Sequence, residues 1–245
     1  MWDTICGMSH VSGKFSAVIP TLQRSPGIAA LVDQLAAHPL VHEILVVNNA
    51  PEPLQWESAK VRVLQQDHNI YVNPAWNLGA SEARGEFLAI INDDVRFSNA
   101  VLDHAANVLG RGRYSMLGPS QSCLRPRRRE RVRHRFGSLG TTPFGTLMML
   151  RRSDYLPVPD DLLIWGGDHW LMLNQRRPIA KLVGVHLRTV MSSTSGAPEF
   201  QAMREAEEAR VAALCAPLKL TRWWHWPASV LGRVSLCVKP EGDRA

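Results

Sequence analysis

The sequence predicts an α/β domain in which a mostly parallel sheet carries helices on both faces. Short apolar runs of strand length alternate with helical segments through the first half of the chain, which argues for parallel strands joined by crossovers. One run, Phe87 to Ile91, is apolar without interruption, as expected of a strand buried on both faces. It ends in Asn92, Asp93 and Asp94. Ligands of open α/β sheets bind in the crevice outside the carboxyl ends of such strands, so the acidic pair falls where a ligand would sit.

Phe15 to Pro20 reads as the first strand and Thr21 to Gly27 as a polar turn. Ser25 is placed to cap a helix with Pro26 at its first position, and Ile28, Leu31, Val32 and Leu35 repeat at helical spacing. Glu43 to Val47 makes a second strand, ended by NNAPEP, and Val61 to Gln65 a short third. Asn73 and Pro74 open a helix to about Ala83, and beyond the acidic strand Ser98 can open one over Asn99 to Leu109. Tyr114 to Gly118 and Thr146 to Leu150 follow as strands, separated by an arginine block and the turn-rich GSLGTTPFG, together a long mobile loop. Gly166 and Gly167 precede a helix from about Asp168 to Gln175, Ile179 to His186 is a further strand, and after SSTSGAP a charged helix runs from about Glu199 to Cys215. In the closing TRWWHWPASVLGRVSLCV, Trp223, Trp226, Val230, Leu231 and Val234 share a helical face that either docks on the domain's own core or lies on a membrane surface.

With 245 residues, 45% hydrophobic and 20% charged, the chain fits one domain with an appendage. No run approaches the roughly eighteen apolar residues of a membrane span, and the start lacks the layout of a secretion signal, so a cytoplasmic protein is expected. Cys6, Cys123, Cys215 and Cys237 are too widely separated for a zinc or redox pair and read as reduced and packed. Arg125 to Arg135 holds seven arginines and one glutamate, which accounts for the whole net charge of +6. A concentrated arginine block is an electrostatic footprint for polyanions.

Adjacent aspartates repel, and both are most easily held ionised beside a hard divalent cation, Mg2+ or Mn2+, on a bound diphosphate. The competing reading is a helix cap and turn.

Four landmarks recur in order. Val18, Ile19, Pro20 and Thr21 close the first strand, with Arg24 in the turn; Val46, Val47, Asn48 and Asn49 close the second; Asn69, Asn77 and Gly79 precede the acidic strand; Ile91, Asn92, Asp93, Asp94 and Val95 close it. From Phe15 to His186 the chain thereby resembles the A-type nucleotide-sugar glycosyltransferases, specifically the large inverting family that contains many bacterial polysaccharide and rhamnosyl transferases. That resemblance implies a single Rossmann-like A-type domain over residues 1–197, with a nucleotide-sugar half at about 15–97, an acceptor half at about 98–197, and a helical extension over 198–245. It also implies a UDP-sugar donor held around Pro20, Thr21, Arg24, Asn48, Asn49, Asn69 and Asn77, with Asn92 or Asp93 near the ribose. Asp94 would contact the metal and His186 would complete its coordination, before a loop, Ser192 to Gly196, able to close over a diphosphate. The second strand of the family normally ends V-V-D-N with the aspartate reading the base, and Asn48 departs from it. Its E-D pair at a helix start, which lines the acceptor side, appears here as Gly167 and Asp168, so Asp168 is implied as the base. One carboxylate suffices for inversion, and a helix N-cap is the alternative for it.

The acceptor is argued from the parts the resemblance does not cover. Arg127, Arg128, Arg129 and Arg131 offer forks for phosphates, and Trp165, His169 and Trp170 offer flat surfaces for a sugar or an extruded base. The combination points to a polyanion, with a hydroxymethylated base in DNA as the first candidate. A lipid-linked or cell-envelope glycan met at an anionic membrane surface is the alternative within the class. A non-catalytic nucleic-acid-binding module is the alternative outside it.

Overall fold

The computed structural model describes residues 11–137, 143–189, 201–218 and 221. The segments Ser192 to Gly196 and Trp223 to Val238 lie outside the described residues, as do Cys6 and Cys237. In chain order the elements are β1 (Val11–Thr21), α1 (Ile28–Ala37), β2 (Val41–Asn48), β3 (Val61–Gln65), α2 (Val72–Glu82), β4 (Gly85–Ile91), α3 (Ala100–Gly110), β5 (Met116–Pro119), β6 (Arg133–Phe136), β7 (Leu147–Arg151), α4 (Gly167–Leu173), β8 (Ile179–Val183) and α5 (Gln201–Cys215).

The strands form one eight-stranded sheet in the order β3-β2-β1-β4-β7-β5-β8-β6. The first four of that order are parallel neighbours, β5 and β8 run with them, and β7 and β6 run against them. Alternation along the strands sends side chains to two cores. Phe15, Ala17, Ile19, Phe87, Ala89 and Ile91 face α1 and α3, while Val18, Leu88, Ile90, Met148 and Leu150 face α2 and α4. The apolar run of β4 is thus buried on both faces, and each fully buried Leu or Ile there contributes about 1.5–3 kcal/mol. Cys123 and Cys215 are buried, and Cys123 Sγ–H donates to the Leu182 carbonyl at 3.2 Å. No helix among the described residues is long and apolar enough to cross a membrane.

Several boundaries differ from expectation, each for a local reason. Helix α1 starts at Ile28 rather than at Pro26, and Ser25 does not cap it: its hydroxyl bonds the Asp93 carbonyl at 3.3 Å and accepts the Gly27 N–H at 3.2 Å. Helix α3 likewise lacks a side-chain cap. The arginine block is not all loop, because its last residues form the edge strand β6, paired antiparallel to β8. Strand β8 stops at Val183, short of His186, where Gly184 adopts a left-handed φ of 79°. A side chain at 184 would meet the Arg131 carbonyl at 2.2 Å, and Arg131 N–H donates to the Gly184 carbonyl, so only glycine fits the turn.

Candidate active site

Thr21 and Asn48 end β1 and β2, and Asn92 directly follows β4, the other neighbour of β1, so one crevice collects the polar residues at those strand ends. Gln23, at a left-handed φ of 57°, turns the chain there, and its N–H bonds Thr21 Oγ1 at 2.8 Å. Asn48 is buried. Its amide donates to the Glu52 carbonyl at 2.8 Å and to Gln65 Oε1 at 2.7 Å, and its carbonyl accepts from Gln23 Nε2 and the Ala50 N–H at 3.2 Å each. An aspartate could make neither donation, so the change from Asp to Asn at this position fits the network around it. Asn49 ties the same strand end to the next turn through the Ile70 N–H at 3.3 Å and the Tyr71 carbonyl at 3.4 Å. Asn69 accepts the Tyr71 N–H at 2.9 Å. Asn77 turns the other way, accepting from Tyr155 Oη at 2.7 Å and the Val158 N–H at 2.9 Å, and so anchors α2 to the segment before α4. Pro20 lies in the buried end of β1 and Arg24 is exposed in the turn.

The acidic pair is splayed. Asp93 turns toward β1 and accepts from Thr21 Oγ1 at 2.6 Å, whereas Asp94 turns toward the chain returning after β8 and accepts from Thr189 Oγ1 at 2.8 Å. That return is fixed by a bridge in which the backbones of Arg96 and Arg188 exchange hydrogen bonds of 2.8 and 3.0 Å. Burial pushes the Asp93 carboxyl above the usual range; the Thr21 bond pulls it down, the Asp94 charge pushes it up, and the net direction is upward. Among the described residues, no group of three or more His, Cys, Asp and Glu converges on a metal position. The donor set still fits a diphosphate-bound Mg2+ or Mn2+. Two adjacent hard carboxylates, one destabilised by burial and further by its neighbour's charge, are what such an ion offsets, and Mg2+ sites commonly use one or two carboxylates plus substrate phosphates. His186 is half-buried beyond β8, with its N–H on the Glu130 carboxylate at 3.0 Å.

Asp168 opens α4 beside this crevice. The Asn92 N–H bonds the Thr146 carbonyl at 3.0 Å, and a Cβ on the preceding Gly145 would lie 3.2 Å from Asp168 Oδ2, so one short piece of backbone separates the acidic motif from this carboxylate. Asp168 Oδ1 accepts the His169 N–H at 2.8 Å and lies 3.1 Å from His169 Nδ1, and its side chain stays 19% exposed. Burial alone raises the Asp168 carboxyl, but the His169 ring and the backbone N–H groups outweigh it and hold it below the usual range. Gly167 has no room for a glutamate, since a Cβ there would sit 2.2 Å from Asn73 Oδ1 and 2.8 Å from the Trp76 ring.

The segment before α4 is held from far along the chain. The buried Glu207 of α5 accepts the N–H groups of Leu163, Ile164 and Trp165 at 2.8, 3.0 and 2.8 Å. Val211 fills the space over Gly166, where a Cβ would approach to 2.0 Å. Arg127, Arg128, Arg129 and Arg131 are all exposed. Trp165 is half-buried, and Trp170 packs on the α2/α4 core with Nε1 on the Pro157 carbonyl at 3.0 Å. The sequence pattern does not single out Gln23, Gln65, Gly145, Thr189 or Glu207; a strand-end position marks only Gln65.

The sequence pattern of glycosyl transferase family 2 matches residues 16–162, more than half of the chain. The chain belongs to that family. Its domain is an A-type nucleotide-sugar glycosyltransferase domain, and the match ends just before Asp168. Among solved structures, the family 2 domain is similar to S. aureus TarS 1–349 in complex with UDP, at 17% identity and a TM-score of 0.61, over 86% of this chain and 66% of that one. It is also similar to TarS 1–349 in complex with UDP-GlcNAc, at 19% identity and a TM-score of 0.59, over 86% of this chain and 67% of that one. Against a longer TarS chain the identity is 18% and the TM-score 0.56, over 81% of this chain and 40% of that one. At these identities the likeness is one of fold, and the chain spans about two thirds of TarS 1–349 and less of the longer form. No curated protein matches the sequence.

Proposed function

We propose that this family 2 protein transfers a sugar, with inversion, from a nucleotide-diphosphate sugar of the UDP type to a hydroxyl on an anionic acceptor. The observation that carries the reading is the approach of Asp168 to the acidic motif across Gly145 and Thr146. A donor lying along the ends of β1, β2 and β4 presents its anomeric carbon toward that junction. Asp168, ionised at neutral pH, takes the acceptor hydroxyl's proton as its oxygen bonds the anomeric carbon, and the bond to the diphosphate breaks with its electron pair leaving on the phosphate oxygen. Asp94, with Asp93 beside it, would hold a divalent cation, which supplies charge stabilisation for the leaving diphosphate. The solved TarS complexes with UDP and UDP-GlcNAc support the choice of donor.

The exposed arginines support an anionic acceptor, and an anionic envelope glycan fits best. A hydroxymethylated base in DNA is the second reading, favoured by the arginine forks. Extrusion of a base calls for free aromatic faces, and Trp170 is committed to the core. The test is a panel of labelled UDP-sugars with anionic glycan, hydroxymethylated DNA and plain DNA, each with Mn2+ and with chelator. Glycan labelling that needs Mn2+ and falls at least about a hundredfold in folded Asp94→Ala is expected. Undiminished transfer by that variant defeats the donor-site assignment, and labelling of DNA alone replaces the glycan.

A further inference from the structure

The chain that returns after β8 is fixed before it reaches the acidic motif. Gly184 turns it, and the buried side chains of Val185 and Leu187 pack in the α1/α3 core. The Leu187 N–H donates to the Cys123 carbonyl at 2.7 Å, and the next residue, Arg188, exchanges two backbone hydrogen bonds with Arg96. Arg96 is itself held, because its guanidinium donates to the carbonyls of Val95 and Gly27 and fills the space that a side chain on Gly27 would need. Thr189 follows directly, so its backbone has supports of its own apart from Asp94.

From that support the Thr189 hydroxyl donates to Asp94 Oδ2 at 2.8 Å. A β-branched side chain is stiff at χ1, so the backbone sets the direction of this bond. A hydroxyl bond to a carboxylate is among the stronger kinds. It is one of Asp94's interactions and not the only one. On the other side Thr21 donates to Asp93 Oδ2 at 2.6 Å, so each carboxylate of the pair leans on a threonine, one at the end of β1 and one beyond β8. A carboxylate has about four lone-pair directions, and a bond to Oδ2 turns the group without exhausting its capacity to ligate.

We infer that Thr189 is a positioning residue, which orients Asp94 toward the divalent cation on the donor diphosphate and so ties that cation to the half of the sheet containing β8. The assignment rests on the transfer reading above. Hydrogen-bond partners of a ligating carboxylate fix the direction of its lone pairs, and losing one typically costs about 10–100-fold in metal affinity. The loss of Asp94 itself would remove the ligand, whereas the loss of the Thr189 hydroxyl leaves a ligand that is less well aimed.

UDP with Mn2+ is the probe, measured by calorimetry on the full chain, because its binding needs neither acceptor nor turnover. Wild type should bind UDP more tightly as Mn2+ is added. Thr189→Val removes the hydroxyl at nearly constant volume, and it should need about 10–100 times more Mn2+ for the same gain, with UDP affinity in chelator unchanged. Thr189→Ser keeps the hydroxyl and gives up the β-branch, and it should recover most of the loss. A merely structural role for this side chain would instead move UDP affinity in chelator together with the unfolding midpoint. A folded Thr189→Val with the wild-type Mn2+ requirement overturns the assignment, as does a loss that Thr189→Ser fails to recover, or a wild type whose UDP affinity ignores Mn2+. A Mn2+ requirement that depends on Thr189, in a protein that moves no sugar from any UDP-sugar, keeps the positioning role and loses the transfer reading. Mn2+-dependent transfer that Thr189→Val leaves untouched at every Mn2+ concentration loses the positioning role alone.

Discussion

The two halves of the sheet, proposed above to hold donor and acceptor, are built by different means. On the donor side, β3, β2, β1 and β4 run parallel, and their ends are joined by hydrogen bonds among Thr21, Gln23, Asn48, Gln65 and Asp93. On the acceptor side β7 and β6 run against β5 and β8, and all four strands are only four or five residues long. There Asp168 is placed by close approaches at glycines and by a carboxylate about forty residues away in α5. The proposed donor half repeats a regular parallel plan. The acceptor half hangs its residues on long-range contacts, which leaves room for different acceptors on one frame.

The contrast is tested most severely at Asp168. Asp168→Asn keeps the size and capping ability but cannot take a proton, so transfer should fall by about two to four orders of magnitude with donor affinity held. Because the Asp168 carboxyl is held below its usual range, the wild-type rate should persist into acid and drop only as pH falls through that lowered value. The stability it contributes follows the same sign, complete above the unfolded value and lost as pH falls through the folded one. A pH–rate profile with a parallel melting series measures both. Lost stability at an unchanged rate per folded molecule would favour the helix-cap reading.

Glu207 tests the same half from a distance. Glu207→Ala strands the N–H groups of Leu163, Ile164 and Trp165, at a cost of about 3 kcal/mol or more, and should lower turnover by loosening the approach to Asp168. Glu207→Gln, which retains an acceptor oxygen, should recover part of both. Unchanged melting and turnover in the alanine variant would detach α5 from the site.

The donor half was legible because its strands announce themselves. Glu43 to Val47 and Val61 to Gln65 carry apolar runs bounded by turn residues, and β2 and β3 enclose them to within two residues. The edge strand β6 was masked by its own charge. Val132, His134 and Phe136 alternate with Arg131, Arg133 and Arg135 at the period of a strand, a pattern hidden when the block is read as a polyanion footprint alone. Thr189 and Glu207 had no local signal: the bond from Thr189 to Asp94 spans 95 residues and is set by the turn at Gly184 and the bridge to Arg96.

On the donor side the largest expected effect is at Asn48. Asn48→Asp faces a buried carboxylate with the Glu52 carbonyl and Gln65 Oε1, losing two donations and adding a charge, at a cost of about 1–3 kcal/mol. Denaturant unfolding measures it. If the Gln65 amide turns to donate instead, adding Gln65→Leu to Asn48→Asp would lower stability further, and that second step separates relief from loss.

Asp93 carries the smallest expected effect, and its sign is opposite. Its carboxyl is pushed up by burial and by Asp94, so the folded state tolerates its charge less well than the unfolded chain does. Above that raised value Asp93 is ionised in both states, and there Asp93→Asn should raise the unfolding midpoint, with the new amide oxygen still able to accept from Thr21. As pH falls through the raised folded value, wild-type Asp93 takes up a proton in the native state first and the penalty shrinks. Below the unfolded value both states are neutral, and the two proteins should melt alike. The same substitution removes a carboxylate from beside Asp94 and should weaken Mn2+-dependent UDP-sugar binding. A gain in stability that comes with a loss of donor affinity marks charge kept in the crevice for a ligand rather than for the fold. If Asp93→Asn melts lower than wild type at neutral pH, the Thr21 bond outweighs burial, and the donor side owes its stability to the carboxylate it exposes to the ligand.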